Sequence, residues 1–107
     1  VLCSGDLLAL GVMRACRERG LRVPEDVGVV GSTGLQLAAY AHPPLTVLEV
    51  PMEGMGREAA RMMLEMAQEG IRRMVGRFVP GALVVRESFV VPEQVLAEVR
   101  EAMERTP

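Results

Sequence analysis

Side chains able to do chemistry are few in this sequence and widely spaced. The one histidine, His42, precedes Pro43 and Pro44 in a segment that reads as a loop, with no nucleophile beside it. Ser32 lacks the GxSxG surroundings of an activated serine. Cys3 and Cys16 lie thirteen positions apart without a CxxC pair. They suit buried free thiols of a reducing compartment better than a disulfide framework. A metal centre needs several converging ligands, and one His with two distant Cys is a poor start. The run Val30-Gly31-Ser32-Thr33-Gly34 has the look of a glycine-rich phosphate loop, yet it matches neither GxGxxG nor GxxxxGK[ST]. Arg72, Arg73 and Arg77 read as a solvated basic loop rather than a phosphate site. No catalytic residue, metal or cofactor is expected, and the expectation is not an enzyme.

The elements that must carry these residues follow from periodicity. Residues 1–4 form a short apolar run stopped by Gly5, as in a buried strand. Ser4, Gly5 and Asp6 supply N-capping chemistry for a helix over 7–19, closed by Gly20. That helix is apolar nearly all round for two turns, so it must be covered on more than one side. Residues 27–31 read as a second buried strand. Strand, helix and strand within about 30 residues make a βαβ unit and hence a parallel sheet. Ser32, Thr33 and Gly34 then fall in the loop at the carboxyl end of that strand, where open α/β sheets bind ligands. A short helical turn follows over 35–41, and a third strand over 45–50.

Pro51 opens a long helix that runs to about Glu69 and is capped by Gly70. Met52, Met55, Ala59, Met62 and Met66 recur at spacings of 3, 4, 3 and 4, which makes one apolar stripe. A Met stripe of this kind is a flexible core filler or, less often, a docking groove. Residues 78–80 and 82–87 read as strands joined by a turn at Pro80-Gly81. Pro92 opens a last helix with Val95, Val99 and Met103 on one face.

Composition narrows the function classes. The chain has 107 residues, enough for one domain with a core. Half the residues are hydrophobic, which argues against disorder. A net charge of −2 gives no whole-chain attraction for nucleic acid, and 3% aromatic residues make no base-stacking platform. No apolar run reaches the roughly 18 residues needed to cross a bilayer, so no membrane partner is expected. The chain opens on Val1-Leu2-Cys3 without an initiator Met, as a piece of a longer protein would.

Five ordered motifs point to one family. Gly20-Leu21-Arg22-Val23-Pro24-Glu25-Asp26-Val27-Gly28-Val29-Val30-Gly31 resembles the GLRVPEDVSVVG stretch of LacI/GalR-family transcriptional regulators. Gly5-Asp6-Leu7-Leu8-Ala9-Leu10-Gly11 is similar to their NDxxALG, and Pro43-Pro44-Leu45-Thr46 to their PPLTT. Met55-Gly56-Arg57-Glu58-Ala59-Ala60 matches MGRxAA, and Leu83-Val84-Val85-Arg86-Glu87-Ser88 matches LxVRES.

The resemblance implies an α/β fold: a Rossmann-like parallel sheet with flanking helices, as an incomplete type I periplasmic-binding-protein-like fold. This chain would be the C-terminal portion of the effector-binding and dimerisation domain. Residues 1–45 would lie in the C-terminal subdomain. Residues 46–80 would form a crossover and a helix of the N-terminal subdomain, 81–91 a return strand and 92–107 a C-terminal helix. DNA would be bound only through an N-terminal head absent from this chain. A homodimer in the cytoplasm, responsive to a small-molecule effector, is the implied protein. The alternative is a periplasmic-type solute-binding protein, and a third reading is a structural fragment without ligand.

Implied site residues transfer unevenly. The effector-binding positions are Gly5, Asp6, Thr33 and Val50. The family's Asn and loop Asp are replaced by Gly5 and Thr33, and each lost buried contact costs about 1–3 kcal/mol. The effector is therefore not expected to be an ordinary sugar. The implied dimer interface is Leu10, Met13 and Arg14 with Leu37, Tyr40 and Ala41.

Overall fold

The computed structural model describes residues 1–70 and 76–105. Residue order sets up two helices and three strands that make the sheet layer, followed by a terminal helix. They are α1 (Asp6–Glu18), β1 (Val30–Thr33), a 3-10 turn (Gln36–Tyr40), β2 (Thr46–Glu49), α2 (Met52–Glu69), β3 (Ala82–Val84) and α3 (Glu93–Glu104). The expected α/β architecture is present.

β1 pairs in parallel with β2, Val30 opposite Thr46 through Thr33 opposite Glu49. On the far side of β1, Leu2 makes a parallel bridge to Val30, and Cys3 donates its N–H to the Val30 carbonyl at 2.8 Å. The strand–helix–strand unit is thus parallel, as its spacing requires. β3 adds to β2 in the antiparallel sense, Val84 opposite Val47, so the three-stranded sheet is mixed.

β1 starts three residues later than the hydrophobic run predicts. The reason is non-local. Val29 donates its N–H to the Ser88 carbonyl at 2.9 Å, and Ser88 donates its own to the Pro44 carbonyl at 3.0 Å. The return segment thereby wedges between the two strands and postpones their pairing to Val30. The same shift carries Thr33 out of the predicted loop and into the last position of β1. Residues 78–80, expected as a strand, have no ladder, and the strand expected over 82–87 is only three residues long.

Helix boundaries follow local chemistry more closely. α1 ends before Gly20, whose φ is +71°, and α2 before Gly70, whose φ is +67°. Both take the left-handed conformation that glycine adopts without a Cβ penalty. Pro51 stands at the N-cap of α2, one position before the helix it was expected to open, and Gly5 caps α1 with no side-chain hydrogen bond, contrary to the capping expected there.

The core lies between α1 and the sheet. Ala9, Met13 and Cys16 on α1 are buried with Cys3, Val29, Ala38, Leu45 and Val47. α2 has no buried residue at all. Met52 and Met55 are 55% and 48% exposed, so the stripe fills no core within this chain. The dimensions agree. The radius of gyration is 17.7 Å, and a compact domain of this length has about 13 Å. The accessible surface is 8139 Å², against about 5,800 Å² for a folded monomer of this mass. Surface that an apolar helix face needs to bury remains open.

Candidate effector-facing site at the carboxyl ends of the strands

The end of β1, the entry to α1 and the residue after β2 come together at one edge of the sheet. Gly5 caps α1, and a Cβ built on it would stand 3.9 Å from the Thr33 hydroxyl. Val50 donates its N–H to the Thr33 carbonyl at 3.2 Å. Gly5, Asp6, Thr33 and Val50 are therefore neighbours, although 45 positions separate the first from the last.

Their polar atoms are mostly committed within the chain. Ser32 donates its hydroxyl to the Cys3 carbonyl at 2.8 Å, and Thr33 donates its hydroxyl to the Ser32 carbonyl. Asp6 is only 1% exposed. One carboxylate oxygen, Oδ2, accepts N–H groups from Gly34 at 2.9 Å and Leu35 at 2.7 Å. The other, Oδ1, is buried without a partner. It lies over Gly31, where a Cβ would collide with it. Gly34 itself has φ +88° and packs against Glu49, so a side chain there would be both strained and crowded. The sequence singled out Asp6 as a ligand-facing carboxylate; in the fold it points inward. Gly31 and Ser32 belong to the same construction, and only the run of glycines around them hinted at close backbone approach.

The positions implied for a dimer contact divide by exposure. Tyr40 is 81% exposed and Leu37 39%, and Arg14 is exposed and paired with Glu18 at 2.9 Å. Leu10 and Ala41 are half-buried and pack on the core. Met13 is 4% exposed and sits inside the core, because Asp6, Ala9, Met13 and Cys16 share the α1 face turned to the sheet. Within the chain α1 is covered on that face alone. Leu7 and Leu8, at 66% and 61% exposure, are the large apolar residues that it leaves open.

The return segment is stitched down by side chains. The Ser88 hydroxyl donates to the Val29 carbonyl at 2.6 Å and accepts the Thr46 N–H at 2.8 Å. Arg86 donates its backbone N–H to the Thr46 hydroxyl at 2.8 Å and its guanidinium to the Leu45 carbonyl at 2.7 Å. These contacts explain the polar ending of the LVVRES run, which hydrophobic patterning alone leaves unexplained.

The remaining chemistry lies elsewhere. His42 lines a cleft of about 340 Å³ with Met13, Arg17, Leu21 and Pro43. This cleft is at the amino ends of the strands, opposite Thr33. Arg77 pairs with Glu58 and, at 2.7 Å, with Glu65, and the Glu58 hydrogen bond above all raises its pKa. It fastens the segment after α2 to that helix rather than standing in a solvated loop. Arg72 and Arg73 lie outside the described residues, as does the side chain of Met103. Among the described residues no group of three His, Cys, Asp or Glu could hold a metal ion, and no helix is long and apolar enough to cross a membrane.

Known proteins resemble this arrangement. Residues 1–89 match the model of the periplasmic binding protein-like domain. An HTH-type transcriptional regulator from the aml 5′ region of Streptomyces limosus is 45% identical over 89 residues, 82% of this chain and 25% of that protein. The HTH-type transcriptional repressor PurR of Vibrio atlanticus is 42% identical over 65 residues, 61% of this chain and 20% of its own length. Among solved structures, the transcriptional regulator CelR in complex with cellobiose superposes with a TM-score of 0.75 at 40% identity, over 82% of this chain and 27% of that one. The Lac repressor dimer bound to operator and the anti-inducer ONPF gives 0.77 at 31% identity, over 84% and 31%. This chain thus spans about a fifth to a third of the length of these relatives. The fold, the ordered motifs and these likenesses agree: the chain belongs to the periplasmic binding protein-like domain family, in the form found within LacI-type transcriptional regulators.

Proposed function

We propose that this chain is part of the effector-binding and dimerisation core of a ligand-responsive transcriptional regulator. The observation that carries the reading is the convergence of Gly5, Thr33 and Val50 at the carboxyl ends of a parallel strand pair, the place where open α/β sheets receive ligands. The relatives that share this fold include a regulator in complex with cellobiose and a repressor dimer bound to operator and an anti-inducer, which supports the class. In this reading residues 1–45 belong to one subdomain and α2 to the other, with 46–50 and 81–91 crossing between them. An effector held between the subdomains shifts the population of their relative angles, and the spacing of paired DNA-binding heads outside this chain follows. The protein is a homodimer of the cytoplasm and not an enzyme.

The effector is not an ordinary sugar. A sugar ring needs acceptors and donors for several hydroxyls, and this side of the site offers few. The Ser32 and Thr33 hydroxyls donate inward, Gly5 has no side chain, and Asp6 is closed off. Tyr40, the aromatic residue nearest in sequence to Thr33, is 81% exposed on the 3-10 turn. Isothermal titration of the intact protein with a panel of mono- and disaccharides is the test. The expected result is no binding tighter than millimolar; micromolar affinity for any of them overturns the assignment.

A further inference from the structure

We propose that Asp6 is a positioning residue: its buried carboxylate latches the loop after β1 to the first turn of α1 and so sets the 3-10 turn against α1. This inference rests on the dimer reading above, in which those two elements meet a second copy of the chain.

The geometry gives the latch two ends. Asp6 is the first residue of α1, and its Oδ2 holds the N–H groups of Gly34 and Leu35. From there the hydrogen bonds continue in one direction. The Leu35 carbonyl accepts the Ala38 N–H at 3.0 Å, and the Ala38 carbonyl accepts the Leu45 N–H at 2.9 Å. Asp6, the 3-10 turn and the start of β2 are thus one connected chain, with Ala38 and Leu45 fully buried along it. Leu37 and Tyr40 project from the turn so held.

A buried carboxylate is tolerated at this point for stated reasons. Two N–H donors converge on one oxygen, and the amino end of α1 favours negative charge. Gly31 makes the room, since any Cβ there would collide with Oδ1. A side chain so enclosed has no surface to offer an effector. Its neighbours do: Gly5 precedes Asp6, and Thr33 precedes Gly34. A ligand pressing on either position bears on one end of the latch.

The test is the dimer dissociation constant of the intact protein by analytical ultracentrifugation, with backbone hydrogen exchange beside it. Asp6→Ala is expected to weaken dimerisation by about tenfold or more, and Asp6→Asn, whose amide oxygen still accepts both N–H groups, to stay within about threefold of the wild type. In the wild type the Gly34 and Leu35 amides are expected to be as protected as those of β1, and in Asp6→Ala they and Ala38 lose that protection. Equal dimerisation of the wild type and Asp6→Ala overturns the coupling to the interface. Freely exchanging Gly34 and Leu35 amides in the wild type overturn the latch, and this readout stands even if Asp6→Ala fails to fold. A wild type that is monomeric at every concentration overturns the dimer reading alone, while the exchange data still decide the latch.

Discussion

α1 and α2 are both amphipathic, both begin beside a strand and both end at a left-handed glycine, yet their fates differ. α1 buries Ala9, Met13 and Cys16 on the face turned to the sheet, and its first residue is tied to the loop beyond β1. α2 is longer, 18 residues against 13, and buries none. Its Met52, Met55, Met63 and Leu64 are all about half or more exposed. The difference teaches what an apolar stripe encodes. It states that a face must be covered and leaves open by what. For the α1 face that carries Ala9, Met13 and Cys16 the cover lies within 107 residues. For α2 the sheet supplies no cover, and the accessible surface stands about 2,300 Å² above that of a folded monomer of this mass. The relatives are about three times as long as this chain.

The largest contrast should come from matched leucine truncations. Leu45→Ala empties a fully buried position and is expected to cost about 2–5 kcal/mol, read from the denaturant midpoint. Leu64→Ala on α2, 63% exposed, should stay within about 0.5 kcal/mol in this chain. Equal effects would erase the distinction between the two regions.

Ser88→Ala comes next. It removes the hydroxyl that serves both the Thr46 N–H and the Val29 carbonyl. Each group left buried and unpaired costs about 1–3 kcal/mol. Loss of stability with an unchanged exchange pattern in α2 would sharpen the claim that the return segment belongs to the packed region.

The smallest effect is a pH dependence at the turn before β1. Arg22 holds Asp26 through its guanidinium at 3.0 Å and its backbone N–H at 2.8 Å. The Arg22 side-chain hydrogen bond first, and its backbone N–H second, lower the Asp26 pKa from 3.8 to about 2. A depressed folded-state pKa stabilises above the unfolded value and ceases to do so below the folded one. Between about pH 4 and pH 2 the wild type should lose slightly more stability than Asp26→Asn, by a margin kept small by solvent exposure. Parallel acid titrations followed by circular dichroism check it.

Much of the fold was legible because local chemistry decides it. Pro51, Gly20 and Gly70 mark helix ends wherever the chain goes next, and the parallel unit follows from its spacing. Distant partners decided the rest. β1 is displaced because Ser88, some sixty residues on, occupies its first pairing positions. Phe78 and Val79 have strand propensity and pair with no strand among the described residues. Of the candidate positions, the ordered motifs singled out Gly5, Thr33 and Val50, which the fold makes neighbours, but not the direction of Asp6. A carboxylate beside a helix start suits a ligand and a backbone latch equally well until the loop with Gly34 and Leu35 is in place.

The central proposal is that residues 1–50 with the 86–88 segment form a self-sufficient packed unit, whereas α2 is completed by protein outside this chain. Hydrogen–deuterium exchange of residues 1–107 alone, compared with the intact protein, tests it most directly. β1, β2 and α1 should be protected in both, and α2 only in the intact protein, where its Met face is covered. Equal protection of α2 in the two samples, or loss of protection in β1 and β2 when the chain is alone, would contradict it.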